Sequence, residues 1–287
     1  MDPYSNPDQQ ADTTLQAMIT RLEERGQHPV FHRMIDQYAN EIAADTPIRL
    51  LDLGCGTGVV IRLLEQRLHP AAILHGADIS RCLLDAARGL APDSRVNWDH
   101  LDGTRLTYAD AAFDCITMHT LLSHVPDVGK LLEEVFRVLK PGARLIVFDA
   151  DHASTTYGLP DYVTMRDIDH KLTSAIATHP DICRQLPRLL KAAGFRLQRH
   201  DSTLLSECGT GDFWLSSVRG FARLIPALGI LPAAEGQAWV DHMLRSHADG
   251  TFFAAGAFYT FHAVKPESHD GLAGSGGMES SLAPSGG

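Results

Sequence analysis

"LLDLGCGTG", Leu50 to Gly58, decides how this chain is read. Leucines on either side of Asp52 describe a short strand covered on both faces, where apolar residues run continuously instead of alternating. Gly54, Gly56 and Gly58 follow at once, letting the backbone turn sharply and come close to a ligand. The next stretch, "VVIRLLEQRL", spaces its apolar residues for a helix. Strand, glycine turn and helix amino terminus together make a nucleotide-binding corner, because the free N–H groups and the helix dipole favour an anionic or strongly polar ligand.

Outward from that corner, the two periodicities alternate. "AAILHGADI" (Ala71–Ile79) reads as a second strand and "SRCLLDAARGL" as a helix capped by Ser80. "RVNWDHLDG", "FDCITMHTLL" and "GARLIVFDA" read as three more strands, and "VGKLLEEVFRVLKPG" as a helix ending at Pro-Gly. This alternation predicts an α/β fold with a doubly wound, Rossmann-like sheet. Beyond Ala150, helices are expected in "LPDYVTMRDIDHKLTSAIATHP", "DICRQLPRLLKAAG", "DFWLSSVRGFARLIPALG" and "PAAEGQAWVDHMLRSHADG". "FRLQRHDSTLLSE" and "TFFAAGAFYTFHAVKP" complete seven strands, mostly parallel with an antiparallel C-terminal strand. Residues 1–45 carry two amphipathic helices, expected as an N-terminal helical lid. Residues 46–265 form the main domain, with helical cap insertions at about 151–180 and 209–250. Residues 266–287, rich in Gly and Ser, are expected to be a flexible tail.

Composition narrows the partners. In 287 residues, 44% hydrophobic, there is enough apolar material for a full core. The formal net charge of −10, with no basic run, speaks against nucleic acid and anionic membrane as partners. An acidic, polar beginning and the lack of a long apolar run predict neither a secretory signal nor a membrane span, so a cytoplasmic location is expected. Five single cysteines without a C-x-x-C pair fit neither a disulfide framework nor a zinc site. A small-molecule partner is expected, for a monomer or homodimer.

The glycine spacing separates cofactors. G-x-G-x-G is not the G-x-G-x-x-G of dinucleotide sites, and no G-K-[ST] follows for a phosphate loop. "DLGCGTG" resembles motif I of the class I S-adenosylmethionine-dependent methyltransferases. Asp78, at the end of the second strand, stands where the family's acid accepts from the ribose hydroxyls. "LDGTRL" puts Asp102 and Gly103 where the family commonly holds the adenine amino group, and "LKPGARLIVFD" resembles its "L(K/R)PGG" turn and fifth strand. The likeness is greatest to the small-molecule methyltransferases of ubiquinone and menaquinone biosynthesis, and it covers roughly Arg49 to Asp149.

That resemblance implies S-adenosyl-L-methionine as cofactor, held by Asp52, Gly54, Cys55, Gly56, Gly58, Asp78, Ile79, Asp102, Gly103, His119 and Thr120. Cys55 is expected as small filler whose backbone borders the ligand. His119 and His124, flanking the loop after the fourth strand, are the candidates for a general base, which is needed only when the accepting atom carries a proton. No metal is expected; the "DADH" at Asp149 to His152 lacks the companion Asp-Asn pair of a metal-assisted catechol site. No N/D-P-P-Y/F follows the fourth strand, and no double-glutamate loop is present, so base amines and arginine side chains are not the expected acceptors. Methyl transfer to a small organic metabolite by in-line displacement remains. The alternatives are a protein that binds the cofactor for regulation or for a non-methylating reaction and, further off, an NAD-dependent oxidoreductase.

Overall fold

A computed structural model describes residues 2–42, 46–101, 103 and 105–267. Asp102 and nearly all of the expected tail lie outside the described residues. The strands are β1 (Arg49–Leu53), β2 (Ile73–Asp78), β3 (Asn97–His100), β4 (Phe113–His119), β5 (Leu139–Tyr157), β6 (Arg196–Gly209) and β7 (Phe252–Val264). They form one sheet in the order β3-β2-β1-β4-β5-β7-β6. The pairs from β3 to β5 are parallel, while β7 runs antiparallel to both of its neighbours. The sheet is therefore the doubly wound, mostly parallel one that the alternation of periods predicts.

The helices among the described residues are α1 (Asp12–Gln27), α2 (Pro29–Ile42), α3 (Val59–Glu65), α4 (Arg81–Leu90), α5 (Val128–Val138), α6 (Tyr162–Ile176), α7 (Ile182–Ala192), α8 (Phe213–Leu228) and α9 (Ala233–Ala248). Ser80 caps α4 as expected, its hydroxyl accepting from Leu83 N at 3.1 Å. Helix α5 stops at Val138, before the Pro-Gly pair, because Leu139 already enters β5. Strand β5 runs seven residues past Ala150, to Tyr157, with a register shift against β7 between Asp151 and Thr156. Its last residues, Thr155, Thr156 and Tyr157, are β-formers that pack on a pleated surface.

Apolar clusters cover both sheet faces. One joins α2, α3, α8 and α9 to the sheet around Leu50, Phe148 and Tyr157. The other joins α5 and α7 around Leu51, Phe113 and Val147. Two 3-10 turns, Pro3–Ser5 and Pro7–Gln9, precede α1. No helix among the described residues is long and apolar enough to cross a membrane.

Candidate functional site

A cavity of about 1010 Å³ opens at the carboxyl ends of β1, β2 and β4, the edge where parallel sheets bind ligands. The glycine loop forms its floor. Gly54, Gly56 and Gly58 have φ of +74°, +54° and +80°, in the left-handed region where a side chain is strained. At Gly58 a Cβ would stand 2.4 Å from the Trp98 ring. Asp78 braces the loop: its Oδ2 accepts from Gly56 N at 2.8 Å and its Oδ1 from Ser80 N at 2.9 Å. Burial raises the Asp78 pKa above the usual carboxylate range, and the carboxyl still faces the cavity.

The cavity brings together Asp52, Gly54, Cys55, Gly56, Asp78, Ile79, Gly103, His119, Thr120 and His124. Gly58 is not in its lining; it caps α3 behind the loop. Cys55 is buried, and burial pushes its thiol well up, so it is an un-ionised filler. Thr120 has φ +51° and donates its N–H to Phe148 O at 2.7 Å, a strained turn that ends β4 beneath the cavity.

The two histidines differ. His119 is buried, stacked on Phe148 at 4.1 Å, with Nδ1 on the Tyr38 hydroxyl at 2.9 Å. Burial lowers its pKa well below the ordinary value, and the nearby Arg25 adds to that, so the ring is neutral and weakly basic. His124 is only partly buried and pairs through Nδ1 with Asp2 Oδ2 at 2.8 Å. The "DADH" residues have other uses. Asp149 accepts from Ser123 N and Ala150 N. Asp151 pairs with Arg184 at 3.0 Å, and His152 is half-buried, its pKa lowered to about 3, first by desolvation of the ring.

Two unpartnered charges line the same cavity. Asp52 gives Oδ1 to the Thr117 hydroxyl at 2.8 Å, but its buried Oδ2 has no partner among the described residues. Burial, assisted by Asp78, raises its pKa to about 7. Arg25, on α1, has buried Nε and Nη2 without partners among the described residues, and burial lowers its pKa to about 10. Its guanidinium lies 4.9 Å from the centre of the Phe31 ring. An uncompensated buried charge costs several kcal/mol, so both groups are suited to a ligand that brings the opposite charges. Arg25 is held in place by the approach of α1 to α3: a Cβ on Gly26 would fall 2.4 Å from Val59 Cγ1, and Arg62 pairs with Glu23 at 2.7 Å.

Sequence reasoning missed Arg25, Asp2 and Asp8. Asp8 accepts from the Ser80 hydroxyl and from Arg81 N at 2.9 Å, tying the N-terminal segment to the α4 amino terminus. The signal for this segment was Asp-Pro followed by Asn-Pro, pairs that initiate turns. The cavity is closed above by Tyr4, Met18, Phe213, Trp214, Phe221 and Leu224, a largely apolar wall.

Residues 51–147 match the protein family described as "Methyltransferase domain". The chain is 33% identical to the ubiquinone/menaquinone biosynthesis C-methyltransferase UbiE of Desulfotalea psychrophila, over 46% of this chain and 52% of that one. It is 29% identical to methyltransferase GfsG of Streptomyces halstedii, over 81% of this chain and 86% of that one. Among solved structures, the [4+2]-cyclase SpnF is similar with a TM-score of 0.55 and 24% identity, covering 85% of each chain, a likeness of fold. The chain spans between half and two thirds of the length of several curated relatives that it matches.

Proposed function

We propose, because residues 51–147 of this chain belong to the class I S-adenosylmethionine-dependent methyltransferases of the ubiquinone and menaquinone biosynthesis type, that the whole chain methylates a partly apolar organic molecule. The observation that carries this reading is the pair of orphaned charges beside the glycine loop. Asp52 Oδ2 suits an ammonium and the Arg25 guanidinium suits a carboxylate, so the two fit the amino-acid end of S-adenosylmethionine. Asp78 and Ile79 hold the ribose and border the adenine, the loop glycines leave room for the backbone to approach, and His119 and Thr120 wall the methionine side. Gly103 and, outside the described residues, Asp102 complete the adenine end.

When bound, S-adenosylmethionine supplies a methyl group already activated on a sulfonium. The chain's task is then to orient the acceptor, exclude water and remove a proton where one is present. The apolar wall of Phe213, Trp214, Phe221 and Leu224 encloses the acceptor's carbon skeleton. His124 Nε2 takes the proton from the accepting hydroxyl, amine or acidic carbon. His119 stays neutral and structural, because its Nδ1 is engaged by Tyr38 and its surroundings oppose a positive charge.

Calorimetry with S-adenosylhomocysteine, 5′-methylthioadenosine and NADH tests the cofactor. S-adenosylhomocysteine binding is expected; NADH binding in its place overturns the reading. Labelled methyl from S-adenosylmethionine, offered with panels of phenols, amines and carbon acids, tests transfer. Cofactor binding without label in any product class turns the reading toward a non-methylating use of the same cavity.

A further inference from the structure

We propose that Asp2 is a positioning residue, the carboxylate of an aspartate–histidine pair that the N-terminal segment carries into the site to fix the proton of His124. The proposal rests on His124 as the proton acceptor. Asp2 has a side chain 4% exposed and is held from four sides. Its Oδ2 accepts from His124 Nδ1 at 2.8 Å, Thr178 N at 3.0 Å and Thr178 Oγ1 at 3.1 Å, while Oδ1 accepts from Tyr4 N at 2.9 Å. The Tyr4 ring lies 5.1 Å from the His124 ring and covers it. Those contacts join the segment, the loop after β4 and the turn between α6 and α7 on one carboxylate.

The chemistry follows from which atoms can donate. An ionised carboxylate only accepts, so the bond to Asp2 puts the proton of a neutral His124 on Nδ1 and leaves the lone pair on Nε2. Among the described residues, no hydrogen bond reaches Nε2, and His124 lines the cavity. A free histidine prefers the other tautomer, with the proton on Nε2, which has nothing to offer an acidic acceptor. In the proposed step the acceptor's X–H bond breaks, its electron pair stays on X, and the proton forms a new N–H bond at Nε2. The resulting imidazolium is flanked by the Asp2 carboxylate, as an outer carboxylate steadies a catalytic histidine elsewhere.

The other charged or titratable groups facing His124 do not replace Asp2. Asp149 is occupied by the N–H groups of Ser123 and Ala150. His152, 6.2 Å away between ring centres, is half-buried and neutral. Arg25 is a cation with no acceptor, and Tyr4 meets His124 through its ring, while the Nδ1 hydrogen bond goes to Asp2 Oδ2. Pairing is thus specific to a residue far away in sequence, and the site is incomplete without the segment that bears it.

The test reads the tautomer directly, with the full chain saturated with S-adenosylhomocysteine and labelled with ¹⁵N-histidine. Long-range ¹⁵N–¹H spectra at pH 8, with His124 assigned through His124→Gln, are expected to show the proton on Nδ1. In Asp2→Ala the proton moves to Nε2, whereas Thr178→Val, which loosens the same carboxylate without removing it, keeps the Nδ1–H form. Should Asp2→Ala unseat the segment, seen as shifted Tyr4 resonances, Asp2→Asn substitutes for it, and a mixture of tautomers is expected. An Nε2–H form in the unaltered protein, or an unchanged Nδ1–H form in the Asp2 variants, overturns the proposal. Because no acceptor is needed, this outcome is independent of label transfer: the pair stands if the tautomer is right and no methyl moves, and the methyltransferase reading stands if methyl moves and the tautomer is wrong. Once an acceptor is in hand, Asp2→Ala is expected to lower turnover at least about tenfold and to lower the pH at which activity develops, because the His124 imidazolium loses the carboxylate that stabilises it, with partial rescue by Asp2→Glu.

Discussion

The two halves of the cavity are built in different ways. On the cofactor side, Asp52, the glycine loop, Asp78 and Thr120 all sit at the ends of neighbouring parallel strands, so the sheet register itself brings them together. On the acceptor side, residues 3–25 and 213–227 meet only because helices α1 and α8 pack over the sheet, joined by Arg21, which donates to the hydroxyls of Ser216 and Ser217. A half fixed by backbone pairing tolerates little change, whereas a half made of helix faces can be relined. The family match reflects this: it covers residues 51–147 and takes in neither 3–25 nor 213–227.

The largest effect is expected where backbone and ligand depend on one carboxylate. Asp78→Ala removes the partner of the Gly56 and Ser80 N–H groups together with the proposed ribose contact, and S-adenosylhomocysteine affinity should fall about 100-fold, near the upper end for a charged hydrogen bond. Calorimetry measures it. A loss under about threefold would place the ribose elsewhere and erase the contrast between the halves.

That contrast also explains what was legible beforehand. Strand, glycine turn and Asp78 are readable because local period and turn chemistry carry them within thirty or so residues of each other, a distance over which register is set by a single crossover. The seven strands and the antiparallel last one are readable for the same reason. Arg25 was not, because a lone arginine on an amphipathic helix has the pattern of a solvent-facing residue until the helix is seen packed with Gly26 against Val59. Asp2 and Asp8 sit in a polar beginning whose composition says nothing about docking. His119 and His124 could both be named but not told apart, since their difference lies in Tyr38, Phe148 and Asp2, which come from three other elements.

Arg25 tests whether α1 belongs to the cofactor half despite its position. Arg25→Met is expected to weaken S-adenosylhomocysteine about thirtyfold, roughly 2 kcal/mol for a charged hydrogen bond, and to leave 5′-methylthioadenosine, which lacks the amino acid, within about twofold. The ligand-free protein should melt no lower than the unaltered one, since an uncompensated buried cation is replaced by an apolar chain. Equal losses with both ligands would mean a general disturbance of α1. An unchanged affinity for both would hand the guanidinium to an anionic group of the acceptor.

The Asp52 carboxyl makes a pH prediction. Its pKa in the folded protein, about 7, lies above the ordinary 3.8, mainly from burial, with Thr117 opposing and Asp78 adding to the rise. The folded state therefore binds the proton more tightly than the unfolded one. With respect to this group, stability is fullest below about pH 4 and declines as the pH rises to about 7. Pairing with an ammonium needs the ionised form, so S-adenosylhomocysteine affinity should drop about tenfold from pH 8 to pH 6, one pKa unit on each side of the midpoint. Titration calorimetry in two buffers would register the released proton. Asp52→Asn should bind more weakly and lose most of the pH dependence; the same slope in that variant would assign it to another group.

The smallest effect belongs to the helical wall. Leu224 lines the cavity from α8 without entering a hydrogen bond or the fully buried core, so Leu224→Ala enlarges the acceptor space without disturbing the sheet. Loss of part of one aliphatic contact changes discrimination between acceptors by about 1 kcal/mol, a several-fold change in KM, with kcat nearly preserved. Cofactor affinity should stay within about twofold, because Leu224 stands on α8 in the apolar wall and offers no polar group to the cofactor. Measuring KM across acceptors of increasing bulk on the same variant separates the two halves: a preference that shifts toward larger molecules fits a wall of replaceable helix residues. A loss of cofactor affinity comparable to that of Asp78→Ala would mean that α8 and the strand ends form one rigid site, and that the division drawn between them does not exist.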